Sequence, residues 1–112
     1  MADFYPDFIL NLPEADVPVA GVVAKMLQGE RGQAVFFTIE AGAEVPPHSH
    51  GDQWGVVLDG EMELTIGGQA RRYRLGDSYF IPAGTVHGAR FPVRCRVFDL
   101  FADAERYKPR PR

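Results

Sequence analysis

Gly42-Ala-Glu-Val-Pro-Pro-His48-Ser-His50-Gly-Asp-Gln53-Trp-Gly-Val-Val-Leu-Asp-Gly60 is the stretch on which the reading of this sequence turns. Two of its histidines are separated by a single residue. Successive side chains of an extended strand point to opposite faces, so positions i and i+2 share one. His48 and His50 therefore present two imidazoles side by side. The chain has only one more histidine, His87, which lies in a second stretch, Gly76-Asp-Ser-Tyr-Phe-Ile-Pro82-Ala-Gly84-Thr-Val-His87-Gly-Ala-Arg-Phe91. It follows a Pro-Ala-Gly turn, where a neighbouring strand would begin, and closing a barrel can bring it to the first pair. Neutral imidazole is a common ligand for first-row divalent metals.

Working outward, short apolar runs alternate with Gly and Pro turns along the rest of the chain, the rhythm of an all-β sandwich or barrel. Strands are expected at Val19–Leu27, Ala34–Glu40, Gln53–Leu58, Glu61–Ile66, Gln69–Leu75, Ser78–Ile81, His87–Phe91 and Val93–Phe101. Gly42 to Pro47 reads as a loop. Asp59-Gly60 reads as a hairpin turn of the kind that needs positive φ at both central residues, with Glu61–Ile66 pairing back. Residues 1–18, with three prolines, read as an extended N-terminal arm. Residues 102–112 read as a tail whose basic end, Arg106 to Arg112, is solvated and disordered. Nothing has the period of a long amphipathic helix.

The two stretches together resemble the paired motifs of the cupin superfamily. The first family motif runs G, five residues, H-x-H, three or four residues, E, six residues, G; the second runs G, five residues, P-x-G, two residues, H, three residues, N. Here Gly42, His48, His50 and Gly60 match the first, and Gly76, Pro82, Gly84 and His87 match the second. The resemblance implies a small single-domain cupin of the type-2 conserved-barrel kind. Its fold would be a double-stranded β-helix (a cupin or jelly-roll barrel) over residues 19–101, holding one divalent ion. The chain departs from the pattern at two places. Gln53 stands where register with Gly60 puts the family's Glu, one residue closer to His50 than the family spacing, and the adjacent Asp52 is the alternative fourth ligand. Phe91 replaces the terminal Asn.

The ligand set implied is His48, His50, Gln53 and His87, all neutral. An octahedral ion would keep two open positions and its full +2 charge, favouring an anionic ligand that chelates through two oxygens. The set suits Mn, Fe, Co, Ni or Zn. Strand parity puts Gly55 and Val57 inward with Gln53, and Ala89 and Phe91 inward with His87, while Trp54, Val56 and Leu58 point out. Phe37, Asp52, Tyr79 and Phe80 complete the pocket candidates. The resemblance implies a metal-dependent enzyme on a small polar or anionic substrate, of dioxygenase, isomerase or lyase type. It also admits a non-catalytic binding or sensing module, which the lack of an obvious general base favours, and a metal-free structural barrel.

Composition narrows the surroundings. The 112 residues suit one domain, with 15 acidic against 12 basic side chains. That balance argues against a nucleic-acid partner, and no apolar run is long enough to span a membrane. No signal peptide is legible at the N-terminus. Cys95 is the only cysteine, reads as a buried structural thiol, and fits a reducing cytoplasm. Finally, Gln53–Leu58 and Val35–Phe37 are apolar on both faces. A strand of that kind needs cover on both, and a homodimer is the expected arrangement.

Overall fold

A computed structural model describes residues 3–111. Nine strands form in order: β1 Val22–Gly29, β2 Gly32–Ile39, β3 Glu44–His48, β4 Gln53–Asp59, β5 Glu61–Ile66, β6 Gln69–Arg74, β7 Ser78–Ile81, β8 His87–Arg90 and β9 Cys95–Phe101. They make two antiparallel sheets, β1-β2-β9-β4-β7 and β3-β8-β5-β6. Alternate residues of both sheets fill the space between them, with Val35, Val57, Ile81 and Cys95 among the most buried. This is the all-β jelly-roll architecture expected, with each period-2 pattern turned toward one core.

The structure corrects the sequence reading in four places. The segment read as a loop before His48 is a strand. Its Pro46 and Pro47 hide the pattern, since proline cannot donate to a ladder. They are accommodated because β3 is an edge strand whose register shifts between Val45 and His48. Gly88 on the facing strand permits that shift, since a Cβ there would lie 2.8 Å from the Val45 carbonyl oxygen.

The turn at Asp59-Gly60 does not close a hairpin. β5 pairs with β6 and β8, not β4, and only Gly60 of the two has positive φ, at 78°. The turn instead passes the chain from one sheet to the other.

The N-terminal arm is not wholly extended. Asp7–Leu10 forms one helical turn after Pro6, with Asp7 in the favourable first turn. Beyond it, Ala15 N–H donates to Ala24 O and Met26 N–H to Pro13 O, so the arm adds onto β1.

The tail, expected to be solvated, is docked. Buried Gln33 donates to the carbonyls of Ala104 (3.1 Å) and Tyr107 (2.7 Å) and accepts from Tyr107 N–H. Asp16 N–H donates to Lys108 O, and Arg110 N–H to Glu14 O. Arg110 also pairs with Glu14 at 2.7 Å. The tail's charges thus meet the arm's carboxylates, and its backbone finds partners that composition does not advertise.

The two outer faces differ. On the four-stranded sheet, Glu61 pairs with Arg72 and Arg74, and Glu63 with Arg90. On the five-stranded sheet, the register aligns Leu27, Ala34, Leu100, Trp54 and Phe80 in one row across all strands. Among the described residues the arm covers the neighbouring row: Tyr5 packs edge-on against Phe36, which contacts Phe98, and the Tyr5 hydroxyl donates to Phe37 O at 2.7 Å. Leu27, Trp54, Phe80 and Leu100 stay about half exposed.

Candidate metal centre

The three histidines arrive from different elements. His48 ends β3, His50 sits in the turn before β4, and His87 opens β8. His48 faces His87 directly in the ladder. The loop after Pro82 is bound to the His50 turn by Gly84 N–H donating to His50 O (2.9 Å) and Ala83 N–H to Asp52 Oδ1 (2.8 Å). The two motifs of the sequence therefore meet through one backbone hydrogen bond and one from a backbone N–H to the Asp52 carboxylate. Gly84 serves there at φ 79°, a conformation that favours glycine.

Ring centroids lie 5.2 Å (His48–His50), 4.3 Å (His48–His87) and 4.8 Å (His50–His87) apart. One potential ligand atom from each falls within 4.8 Å of the others. An ion holding each nitrogen at about 2.1 Å would set neighbouring nitrogens about 3.0–3.4 Å apart, so binding draws the triangle inward. Each Nδ1 lies 2.9 Å from a backbone carbonyl: His48 at Pro46, His50 at Gly51, His87 at Thr85. Those contacts put the proton on Nδ1 and leave the Nε2 lone pair free, the tautomer a metal needs. Nε2 of His50 and His87 are buried and without any partner. Burial, which disfavours charge, pushes His50 down to about 4 and lowers His87; the Gly51 and Thr85 carbonyls oppose this, while Arg106 and the neighbouring imidazoles add to it. Both rings are neutral near pH 7. Orphaned nitrogens converging on one point in the neutral form fit a divalent ion.

Gln53 is buried, lines the same cavity as His48 and His87, and its Oε1 has no partner. It can offer an amide oxygen. Asp52, the alternative ligand, turns away: its side chain is engaged with Ala83 N–H outside the cavity.

The cavity holds about 350 Å³ within the barrel. Phe37 and Tyr79, whose facing the sequence left open, line it. Gly55 lies beneath it, where a Cβ would strike the Asp99 carboxylate and the Tyr79 ring. Val57 and Phe91 are inward but belong to the core, and Phe80 points out, 55% exposed.

Two cavity residues escaped the sequence reading. Asp99 on β9 is buried, and it accepts a 2.6 Å hydrogen bond from the Tyr79 hydroxyl. Burial pushes its carboxyl up to about 6, against the opposing pull of the Tyr79 and Gln53 hydrogen bonds and of Arg106. Its signal was available: Cys95, Val97, Asp99 and Phe101 alternate inward, and only one of them carries a charge. Arg106 comes from the docked tail. Its guanidinium stacks 4.3 Å from the Tyr107 ring and 5.5 Å from Phe101, and its buried Nε has no partner. A run of basic and proline residues gave no sign of this.

The sequence matches the cupin domain family over residues 35–101, and the chain belongs to that family. Among curated proteins none matches it. Of solved structures, it is similar to an RmlC-like cupin from Shewanella frigidimarina NCIMB 400 (27% identity, 94% of this chain and 95% of that one, TM-score 0.79). It is also similar to KdgF from a Halomonas species (27% identity, 92% and 96%, TM-score 0.71). A salicylate 1,2-dioxygenase from Pseudaminobacter salicylatoxidans shares the fold at 16% identity (82% of this chain, 28% of that one, TM-score 0.71). No helix among the described residues is long and apolar enough to cross a membrane.

Proposed function

We propose that this chain is a metal-dependent enzyme acting on a small anionic substrate, with proton transfer at carbon as its chemistry, an isomerase or lyase type of reaction. The observation that carries the reading is the shared cavity: a buried carboxyl, Asp99, opens onto the same 350 Å³ space as His48, Gln53 and His87. His48, His50 and His87, with Gln53 as fourth donor, would hold Mn, Fe, Co, Ni or Zn. The bound ion supplies Lewis-acid polarisation of a substrate oxygen.

The chain's own groups do the rest. A neutral donor set leaves the site's charge unbalanced, and Arg106 adds a second positive centre at the cavity wall, so a carboxylate-bearing substrate suits both. Asp99 is the proton carrier. A general base works best with its pKa near the working pH, and a carboxyl raised by burial approaches that range. Tyr79 fixes its orientation through the 2.6 Å hydrogen bond. Phe37 and Tyr107 exclude water on the apolar side. On sequence alone, the missing base favoured a non-catalytic module; Asp99 supplies the candidate.

The test is solvent deuterium exchange. Metal-loaded protein is incubated in D₂O with small 2-keto and 2-hydroxy acids, and incorporation is followed by proton NMR. Exchange by wild type but not by Asp99→Asn, with equal metal content, supports the reading. Exchange of none of these acids, or equal exchange by the variant, contradicts it.

The reading includes a homodimer in the cytoplasm. The row of Leu27, Trp54, Phe80 and Leu100 borders a groove that Glu30, Arg31 and Asp52 also line.

A further inference from the structure

Asp103 lies just beyond β9, outside the cavity, and belongs to none of the groups assigned above. Its Oδ2 accepts the Gly51 N–H at 2.8 Å and stands 3.9 Å from His50 Nδ1. The Gly51 N–H is half of the peptide that follows His50. The other half, the His50 carbonyl, accepts Gly84 N–H at 2.9 Å. That peptide is therefore pinned at both ends, by Asp103 on one side and by the Pro82 turn on the other. The next peptide carries the Gly51 carbonyl, which receives the His50 Nδ1 proton. The one after carries the Asp52 carbonyl, which accepts Ala102 N–H at 2.9 Å. Residues 102 and 103 thus grip the His50 turn through two successive hydrogen bonds. The packing is close: a Cβ on Gly51 would run into the Asp103 carboxylate, with Cγ at 3.0 Å.

Rotation of either peptide would carry the Gly51 carbonyl off Nδ1 and swing Nε2 away from His48 and His87. A metal site depends on such supports, because its affinity falls when a ligand must be ordered at the moment of binding.

We propose that Asp103 is a positioning residue of the metal centre, holding the His50–Gly51 peptide so that His50 presents Nε2 to the ion. This rests on the metal-binding reading. The role is carried by hydrogen-bond acceptance rather than charge, so an asparagine, whose Oδ1 can accept the same N–H, serves in its place.

The experiment is zinc titration of the metal-free full chain against a chromophoric chelator, with thermal melts of each metal-free variant alongside. Asp103→Ala binds zinc about 10- to 100-fold more weakly than wild type, the range for loss of outer supports. Asp103→Asn stays closer to wild type than to Asp103→Ala. Gly51→Ala, which displaces the carboxylate, weakens binding in the wild-type background and adds little to Asp103→Ala, as expected of two changes to one contact. It reads the same contact should Asp103→Ala fail to fold. Wild-type affinity in Asp103→Ala, or in Gly51→Ala, overturns the proposal. Asparagine as weak as alanine also overturns it. A wild type that takes up no zinc overturns the metal reading itself, which is a distinct result.

Discussion

Asp99 and Tyr79 sit on strands that do not pair with each other, yet the Tyr79 hydroxyl reaches the Asp99 carboxylate at 2.6 Å across β4. The bond passes over Gly55, which faces Asp99 on one side and Tyr79 on the other in the ladder. A buried carboxyl is tolerated only with partners, and the absent side chain at Gly55 makes the space for this one.

Gly55→Ala should therefore destabilise the fold. The new methyl would overlap both partners, and overpacking of this kind costs about 1–3 kcal/mol. Urea unfolding of the metal-free protein measures it. Unchanged stability would mean that the pair has room to shift and does not depend on the glycine.

Gln53→Glu tests the neutral ligand set. A carboxylate there should tighten metal binding and lower the net charge of the site from +2 to +1. Two unit charges about 4 Å apart interact by roughly 4 kcal/mol at an effective dielectric of 20, less where solvent enters. Calorimetry with a small keto acid should show anion affinity falling by about one to two orders of magnitude, within that bound. Equal affinity in both proteins would remove Gln53 from the site.

The exposed row on the five-stranded sheet makes the oligomeric state testable by one substitution. Leu100 sits at its centre and is 46% exposed. Leu100→Glu should convert a dimer to a monomer in light scattering without lowering the metal content. A wild type that is monomeric at high micromolar concentration would contradict the dimer.

Cys95 should be inert in the folded protein. Burial pushes its thiol up to about 12, and the Asp59, Asp99 and Glu61 carboxylates add to the effect. The sign follows: the native chain holds its proton where an unfolded thiol begins to lose it near pH 9, so this group's stabilising contribution is present below pH 9 and lost between 9 and 12. At pH 8 an aromatic disulfide reagent should label the denatured protein at one site and the native protein far more slowly. Rapid native labelling would place Cys95 outside the core.

The histidines were legible because their information is local: H-x-H shares a face by strand parity, and a turn of Pro and Gly delivers the third ring. The inward series Gln53, Gly55, Val57 was legible for the same reason, since a period of two admits no other phase once Gln53 is fixed. Asp99 follows the same parity but stands in an apolar run where a charge reads as an interruption. Arg106 and Asp103 were out of reach for a different reason. Their place depends on the tail docking, and the tail docks through backbone carbonyls held by Gln33, which leave no mark on composition. The β3 strand hid behind its prolines, tolerated only because it lies at a sheet edge.

If His48, His50 and His87 hold one ion together, metal uptake requires all three rings. Cobalt(II) titration of the metal-free chain, followed by visible absorption and by elemental analysis after dialysis, tests it directly. One equivalent per chain in wild type is expected, with loss of that equivalent in His87→Ala while the metal-free variant keeps its fold by circular dichroism. No uptake by wild type, or an undiminished equivalent in His87→Ala, would contradict it.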